Sequence, residues 1–518
     1  MPRKKQVRQS LNSSYTIILV LIILVFAAYA LANIVGPSAY DDDPIYLTLA
    51  NQFAAHSSLT YSNYDYIYTA RLLQIIPIAI LFKLFGVGVL TSGAWDLLCY
   101  LGIIAVTFYF TKEMHSPRAA IIASVLAGTF PLLFRSATTA IESVPMAFVT
   151  SLGILALIYG WRRKSPSWFF ACGLILVLSF MITPESAIAI IFASAAVLYL
   201  SARQGVRIGS QYLIPGAVIG ILIMLLLNYA YFTDPLYPFT LNNVYYNNPH
   251  VNNILSSATQ GLMYYPYILF PYDNSVDINQ VGPYFYFLIP AALYLAVRKV
   301  RKSYFALAWL GFSLAYLEFG PMHISLYPSL SYVMLYGVAR FLLLAVVPMA
   351  AVMGMAFASA AEIEKGALHK AAVATSSVSI AIIVLASLTM NLYWHSVAYL
   401  SSYDSISISS YLLPLQNSTV VYIPSNLSNI PSYMRFDNLS RFHTLREIKN
   451  CSDILPGSYV VSANPGNVDP LSLYHMVSSC PQLSLISLPR AGNTTPYYSQ
   501  IAPDIIPLNL YHFQNQST

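Results

Sequence analysis

Charged side chains are scarce in this sequence of 518 residues. Asp, Glu, Lys and Arg make up 9% of the chain, whereas 57% of the residues are hydrophobic and 14% are aromatic. A mean hydropathy of +0.60 excludes an ordinary soluble globular protein and predicts many membrane-spanning helices. The net charge of +6 comes from short basic clusters between apolar runs. That pattern is typical of membrane topology, and it argues against a nucleic-acid partner.

Cysteine is also rare, with four residues in the whole chain. Cys99 and Cys172 fall in apolar runs, where we expect them to pack as small hydrophobic side chains. Cys451 and Cys480 fall in the polar C-terminal tail. A disulfide between them is compatible with a tail that lies outside the cell.

Long apolar runs recur through the first three quarters of the chain. A helix needs about 17–25 apolar residues to cross a bilayer. On that criterion we predict about eleven spans, near residues 15–35, 93–110, 118–134, 144–160, 167–183, 187–201, 212–230, 283–297, 304–320, 337–359 and 371–391. The first span follows a basic start without an obvious cleavage site, so no cleaved signal peptide is expected.

Basic residues mark one side of these spans, because most of the 26 Lys and Arg lie at alternate span ends. The positive-inside rule makes that side cytoplasmic. We therefore predict a protein of the plasma or an endoplasmic-type membrane, with a cytoplasmic N terminus and an extracytoplasmic C-terminal domain. This assignment requires that residues 71–90, which carry Arg71, Pro77 and Lys83, form an interfacial helix. The alternative is a true span, with another element lost elsewhere.

Three long segments are predicted on the outer side, at 36–92, about 231–282 and about 321–336. The second loop is rich in tyrosine, including Tyr245, Tyr246 and Tyr264. Tyrosines at a membrane boundary could form only an aromatic belt. They could also line a sugar pocket, because the C–H face of a sugar stacks on aromatic rings and its hydroxyls bond to polar groups.

The chain turns polar from about residue 392. Short β-type runs and one helical run predict a small α/β domain over 392–518, after a transmembrane module over 1–391. The predicted strands and the helix lie at 420–423, 459–461, 483–488 and 471–479. Several Asn-x-Ser/Thr triplets in this tail favour an exposed surface that could be glycosylated.

A run of three acids, Asp41 to Asp43, follows the first predicted span directly. A carboxylate kept beside hydrocarbon indicates function by default. The alternative is a solvated loop that stops the helix, and we favour it for Asp41. Asp96 begins the second span, and we interpret it as an N-terminal helix charge.

Three further charges are predicted on the same side and at the same membrane depth as the acid run. They are Glu142, Glu185 and Arg340, and together with the run they could line one pocket. Arginine is suited to hold a phosphate, and a carboxylate is suited to take a proton from an attacking hydroxyl. Glu185 could instead cap a helix, and Arg340 could extend to the lipid headgroups.

The order of these motifs resembles that of a known family. An acid pair followed by tyrosine, from Asp42 to Tyr46, comes after one span and before a Pro-containing interfacial helix. Much later, Arg340 begins an Arg-Phe-Leu-Leu run that precedes Pro348. Glu142 stands between the third and fourth predicted spans. This layout resembles the GT-C glycosyltransferases, and within them family 39, the protein O-mannosyltransferases and the bacterial aminoarabinose transferase.

Two residues differ from the family 39 pattern, which has an Arg-Tyr-Leu-Leu-Pro element and an aspartate in the second outer loop. This chain has phenylalanine for that tyrosine and Glu142 for that aspartate. The Trp-Trp-Asp-Tyr-Gly element of oligosaccharyltransferases is absent from the tail, which disfavours that branch. The resemblance covers residues 1–390 in layout and a few short motifs in sequence.

The resemblance implies a GT-C-like helical bundle that transfers a sugar, with inversion, at the outer face. The donor would be a polyprenyl- or dolichyl-phosphate sugar, and the acceptor a hydroxyl of a protein, lipid or glycan. Asp42 is then expected to act as general base, with Asp43 and Glu142 orienting the acceptor and the base. Tyr46 and Glu185 are expected in the substrate pocket, with the three loop tyrosines named above.

The same resemblance implies that Arg340, with Arg71 or Lys83, holds the leaving phosphate and neutralises its charge. No cofactor is assigned. A divalent cation at Asp42 and Asp43 would suit carboxylate ligands, but family 39 members do not generally need one.

Two other functions remain as alternatives. A secondary transporter would have two related halves and ionisable residues near the bilayer midplane, whereas this sequence shows no internal repeat and its charges cluster at one face. A non-enzymatic membrane scaffold would not need the acid run beside Arg340.

Overall fold

The computed structural model describes residues 2–34, 43–56, 68–204, 210–246, 281–325, 331–334, 339–362, 367–412, 414–415, 419–423, 442–444, 450–463, 480–488 and 508–513. The helices in these residues, in chain order, are α1 Pro2–Ala32, α2 Asp43–His56, α3 Leu72–Phe85, α4 Val89–Met114, α5 Pro117–Thr129, α6 Pro131–Ala137, α7 Ser143–Arg163, α8 Pro166–Ser179, α9 Ala187–Gln204, α10 Leu213–Phe232, α11 Tyr237–Tyr246, α12 Tyr284–Val297, α13 Tyr304–Phe319, α14 Val346–Ala361 and α15 Ala367–Leu412. The strands are β1 Pro321–Ser325, β2 Ser331–Met334, β3 Val421–Ile423, β4 Phe442–Thr444, β5 Tyr459–Ala463, β6 Leu483–Ile486 and β7 Leu508–Phe513.

Seven helices in the described residues are long and apolar enough to cross a membrane. An eighth candidate is the pair α5 and α6, which is bent by 59°. The bend falls at Phe130, directly before Pro131, and proline cannot continue a preceding helix without losing a backbone hydrogen bond. The integral membrane character that the hydropathy predicts is therefore confirmed.

The predicted number of about eleven spans is not confirmed. Three of the predicted spans form helices of 14, 14 and 16 residues, namely α8, α12 and α13. A helix of 14 residues is about 21 Å long and the hydrocarbon layer about 30 Å thick. The apolar runs that predicted these three spans lie at or below the lower limit of length for a span, which explains the difference.

The helix α3 lies within the segment for which an interfacial helix is predicted. It has 14 residues, so it too is shorter than a span. α3 packs against α2 and α4, and buried side chains such as Tyr46, Leu49, Ile75 and Ile78 form the contact with α2. This packing of α3 against α2 and α4 positions the residues that precede α3.

Close backbone contact joins α8 and α10. Gly216 and Gly220 form a G-x-x-x-G pattern on α10, and such small residues allow two helix backbones to approach closely. A Cβ atom added at Gly216 would overlap the carbonyl of Phe170 in α8, and one at Gly173 would overlap the carbonyl of Leu213.

Substitution at this contact should destabilise the bundle. We expect Gly216→Val to cost about 1–3 kcal/mol, as is typical of overpacking, and to lower the melting temperature of the detergent-solubilised protein. Gly311→Val in α13 is the matched control, because a Cβ atom there meets nothing within 4 Å. Equal melting temperatures for the two variants would contradict the contact.

The helix α15 has 46 residues, about 69 Å at 1.5 Å per residue, which is far longer than one span. It runs without a break through residues 391 and 392, so the domain boundary drawn there stays a prediction. The strands that follow it form a mixed sheet in the order β4-β3-β5-β7-β6. β3 is parallel to β4 and β5, and β7 is antiparallel to β5 and β6.

This sheet contains the three strands predicted from the tail, as β3, β5 and β6, whereas the helix predicted at 471–479 lies outside the described residues. Cys451 and Cys480 form a disulfide, with a Cα–Cα distance of 5.8 Å. Cys99 and Cys172 are buried free cysteines, as expected. The antiparallel pair β1–β2, which comes shortly before Arg340, was not predicted.

Candidate functional site

Glu142 lies at the centre of the candidate site. It precedes the first turn of α7, where a negative charge interacts favourably with the helix dipole. The segment that connects α6 to α7 is irregular but buried. The hydroxyls of Thr138 and Thr139 donate to the carbonyls of Arg135 and Ser136 at 2.9 and 3.1 Å, which satisfies backbone groups away from water.

Arg71 approaches Glu142 from the N-terminal end of α3. Its Nη1 atom lies 2.9 Å from Oε1 of Glu142, and the two side chains are 15% and 2% exposed. A cation at a helix N terminus opposes the helix dipole, so this position requires a compensating anion, which Glu142 supplies. The N–H of Leu73 also donates to the carbonyl of Met181 at 3.3 Å, which ties the start of α3 to the end of α8.

Arg340 reaches the same carboxylate from a distant part of the chain. It lies in the 3₁₀ helix Ala339–Ala345 that leads into α14. Its Nη2 atom is 3.6 Å from Oε1 of Glu142, and its side chain is 18% exposed. Two guanidinium groups therefore share one oxygen atom of Glu142. The other oxygen, Oε2, is buried and has no hydrogen-bond partner among the residues that the structure describes.

Two tyrosines enclose Arg71. Tyr46, which is fully buried in α2, accepts a hydrogen bond from Nη1 of Arg71 through its hydroxyl. The Arg71 guanidinium carbon lies 4.8 Å from the ring centre of Tyr68 and 5.7 Å from that of Tyr46. Such contacts attract a cation to the aromatic face, so Arg71 is held by an anion and by two rings.

Asp43 shares a face of α2 with Tyr46. It is the first residue of α2, and residues three apart lie on one side of a helix. Its side chain is completely buried. Asp42 immediately precedes it and lies outside the described residues, as does Asp41.

Glu185 joins the same group from the 3₁₀ turn Pro184–Ser186 before α9. Its side chain is buried, and Oε2 accepts a hydrogen bond from the hydroxyl of Thr183. The charges of Arg71, Glu142 and Arg340 act on it. The fold thus brings five of the predicted site residues together in one cluster, namely Asp43, Glu142, Glu185, Arg71 and Arg340.

The fold around this cluster is similar to that of solved membrane enzymes. The crystal structure of ArnT from Cupriavidus metallidurans bound to undecaprenyl phosphate matches with a TM-score of 0.61 at 11% identity, over 97% of this chain and 99% of that one. Its apo form matches with a TM-score of 0.61 at 12% identity, over 97% and 98%. The apo oligosaccharyltransferase from Archaeoglobus fulgidus matches with a TM-score of 0.50 at 13% identity, over 87% of this chain and 69% of that one.

This chain has the GT-C fold. No family model and no curated protein matches it in sequence, so the similarity to ArnT concerns the fold. The layout that sequence motifs predicted, a GT-C-like bundle followed by a small C-terminal sheet, is confirmed at that level.

Other predicted site residues do not lie in the cluster around Glu142 or fall outside the described residues. Lys83 is exposed in the last turn of α3, about 18 Å along the helix from Arg71 at 1.5 Å per residue. Tyr245 and Tyr246 are the last two residues of α11, and Tyr264 lies outside the described residues. In the described residues no group of three His, Cys, Asp or Glu side chains is arranged to hold a metal. A cation at Asp42 and Asp43 stays a prediction, because Asp42 is not among those residues.

Asp96 and Gln74 lie behind the cluster around Glu142 and were not predicted as part of the site. Asp96, interpreted as an ordinary helix-end charge, is completely buried in α4. The charges of Glu142 and Asp43 act on it, and Nε2 of the buried Gln74 donates to its Oδ2 at 3.4 Å. The one available signal was a carboxylate inside an apolar run, which indicates function in a membrane protein.

The arrangement suits the binding of an anion beside carboxylates. Each guanidinium has five N–H donors in a fixed fork. Such groups bind phosphate through paired hydrogen bonds. The neighbouring carboxylates could accept a proton or orient a hydroxyl.

Proposed function

We propose that this protein is an integral-membrane glycosyltransferase. It moves a sugar from a polyprenyl- or dolichyl-phosphate donor to a hydroxyl of a protein, lipid or glycan acceptor, with inversion at the sugar carbon. The reaction takes place at the extracytoplasmic face of the membrane. The disulfide between Cys451 and Cys480 supports that location for the C-terminal sheet, because disulfides persist in oxidising compartments.

The observation that carries this proposal is the meeting of Arg71 and Arg340 on one oxygen of Glu142, at 2.9 and 3.6 Å. Two cations from elements more than 250 residues apart in the chain are costly to bury together. A site that must receive an anionic phosphate offers a reason for this cost. The fold provides the context, since ArnT, which shares it, was crystallised with undecaprenyl phosphate.

The donor phosphate would compete with Glu142 for these guanidinium groups. Arg340 makes the longer contact and would be the first to turn towards the phosphate. Arg71 is held by Glu142 and by Tyr46, so it would keep its position and contribute its remaining N–H donors. Lys83 could bind a second phosphate oxygen only if α3 moved.

In the transfer step, Asp42 accepts the proton of the acceptor hydroxyl. The acceptor oxygen forms a bond to the anomeric carbon as the bond from that carbon to the phosphate oxygen breaks. The electron pair of that bond leaves with the polyprenyl phosphate, whose added charge Arg71 and Arg340 neutralise. Asp43 and Glu142 orient the acceptor and the base.

The pocket for the sugar would be formed by Tyr46 and Glu185 together with Tyr245, Tyr246 and Tyr264. Aromatic faces and buried polar oxygens fit the two sides of a sugar ring. The lipid chain would lie between helices in the bilayer, so the donor would enter sideways and not from water.

The direct test is transfer by the purified protein in lipid vesicles. The vesicles contain a polyprenyl-phosphate sugar with a label on the sugar, and the release of free polyprenyl phosphate and the fate of the label are both measured. We expect release that depends on the protein and on a mixed acceptor extract of membranes and secreted protein. Uptake of a free solute without any donor cleavage would favour the transporter alternative and overturn this proposal.

A further inference from the structure

A buried pair of polar side chains joins α3 to α4 behind the candidate site. Gln74, in the first turn of α3, and Asp96, in the third turn of α4, are both completely buried. The amide nitrogen Nε2 of Gln74 donates to Oδ2 of Asp96 at 3.4 Å.

One oxygen atom on each side of this pair lacks a hydrogen bond within the described residues. These atoms are Oδ1 of Asp96 and Oε1 of Gln74, and both are buried. Both are acceptors if the carboxyl group is ionised, so neither could satisfy the other. Buried acceptors without a hydrogen bond destabilise the folded protein.

A single proton on Oδ1 of Asp96 would provide a hydrogen bond for both of these oxygen atoms. A protonated carboxyl group has one O–H donor and one carbonyl acceptor. A primary amide has an N–H donor and a carbonyl acceptor, so the two groups can form a pair of hydrogen bonds. The acid would donate to Oε1 of Gln74 while it accepts from Nε2. We infer that Asp96 is a neutral carboxylic acid in the resting protein, paired with Gln74 through two hydrogen bonds, and that this pair positions Arg71.

The titratable groups that face Asp96 are acidic. Glu142 and Asp43 face it from neighbouring elements, and the thiol of Cys99 lies on its own helix. The basic side chains of the site are engaged with Glu142, and the described residues place none within salt-bridge distance of Asp96. An ionised carboxylate without a partner is costly in a buried, apolar position.

The pair is linked to Arg71 through one turn of helix. Gln74 follows Arg71 by three residues, and its N–H donates to the Arg71 carbonyl at 2.9 Å. Holding the Gln74 side chain against α4 therefore fixes the first turn of α3 and, with it, the direction of the Arg71 guanidinium. Asp96 is a positioning residue in this view, because it acts through Gln74 and Arg71 and touches no substrate.

The part of this inference that concerns transfer rests on the proposed function, whereas the protonation of Asp96 does not. Infrared difference spectroscopy tests the protonation directly on the purified protein in lipid at neutral pH. We expect the carbonyl stretch of a protonated carboxylic acid in the parent, its loss in Asp96→Asn, and its retention in Thr107→Ala. Thr107 is a matched control, since it is a buried polar residue of the same helix whose hydroxyl donates to its own Ile103 carbonyl.

The positioning role is tested by the pH profile of transfer. Asparagine keeps one donor and one acceptor, so Asp96→Asn should retain activity within about threefold, whereas Asp96→Leu should lose about tenfold or more, the equivalent of about 1.4 kcal/mol. The parent should lose activity at alkaline pH when Asp96 ionises and the pair breaks. In Asp96→Asn that alkaline loss should be absent.

The outcomes separate this inference from the proposed function. A parent-minus-Asp96→Asn spectrum with carboxylate bands and no acid band would overturn the inference, whatever the activity. An acid band with pH profiles that coincide for the parent and Asp96→Asn would reduce Asp96 to a structural role and overturn the positioning claim. An acid band in a protein that transfers no sugar would leave the pair intact and remove the proposed function.

Discussion

We expect Asp42→Asn to lower the rate of sugar transfer by about 10²- to 10⁴-fold, the usual contribution of a general base. Asparagine has the shape of aspartate but cannot accept the proton of the acceptor hydroxyl. The donor phosphate is assigned to Arg71 and Arg340, so the affinity for polyprenyl phosphate should stay within about twofold of the parent. Single-turnover transfer and equilibrium binding of the lipid phosphate measure the two quantities separately.

The neighbouring acid offers the control for this prediction. Asp41→Asn removes the same charge one residue earlier, at a position interpreted as solvated loop, and should leave transfer nearly unchanged. If both variants lose activity equally, the acid run would act through its total charge and Asp42 would not be the base. If Asp43→Asn alone abolished transfer, the base would be the buried first residue of α2.

Sequence alone predicted those parts of the structure that follow from local pattern. Apolar runs located the helices, and alternation located three strands of the C-terminal sheet. The grouping of Glu142, Glu185 and Arg340 followed from their predicted depth on one side of the membrane, because residues at one depth in a helical bundle lie near one another.

Contacts that depend on exact helix ends and on tertiary packing could not be predicted. Hydropathy placed α12 and α13 to within one residue at each end and extended α8 by four residues at its C-terminal end, but it did not show that all three helices are shorter than a span. Arg71 and Lys83 appeared as equivalent candidates, although helical geometry separates them by about 18 Å and only Arg71 contacts Glu142. The burial of Asp96 depends on α3 lying across α4, and no spacing in the sequence encodes that contact.

The second large effect is expected at Arg340. Arg340→Ala should lower transfer by about 10²- to 10³-fold, comparable to the loss of one preorganised donor to a developing anion. The fold should survive, because Glu142 keeps its closer partner Arg71 at 2.9 Å. Arg340→Lys should recover only part of the rate, since an ammonium group lacks the planar fork that binds phosphate with two hydrogen bonds.

The control for the loss of an arginine is Arg163→Ala, which removes an exposed pair with Glu113 at 3.5 Å, where the Arg163 side chain is 53% exposed. An exposed pair contributes about 0–1 kcal/mol, so neither transfer nor the melting temperature should change much.

The double variant Arg71→Ala/Arg340→Ala, in contrast, leaves the buried Glu142 carboxylate without a cation, which costs about 3–5 kcal/mol. Adding Glu142→Gln to that double variant should restore the melting temperature but not the transfer. If it restored neither, or if the double variant melted like the parent, the two guanidinium groups would not neutralise Glu142, and the phosphate site proposed for them would lose its basis.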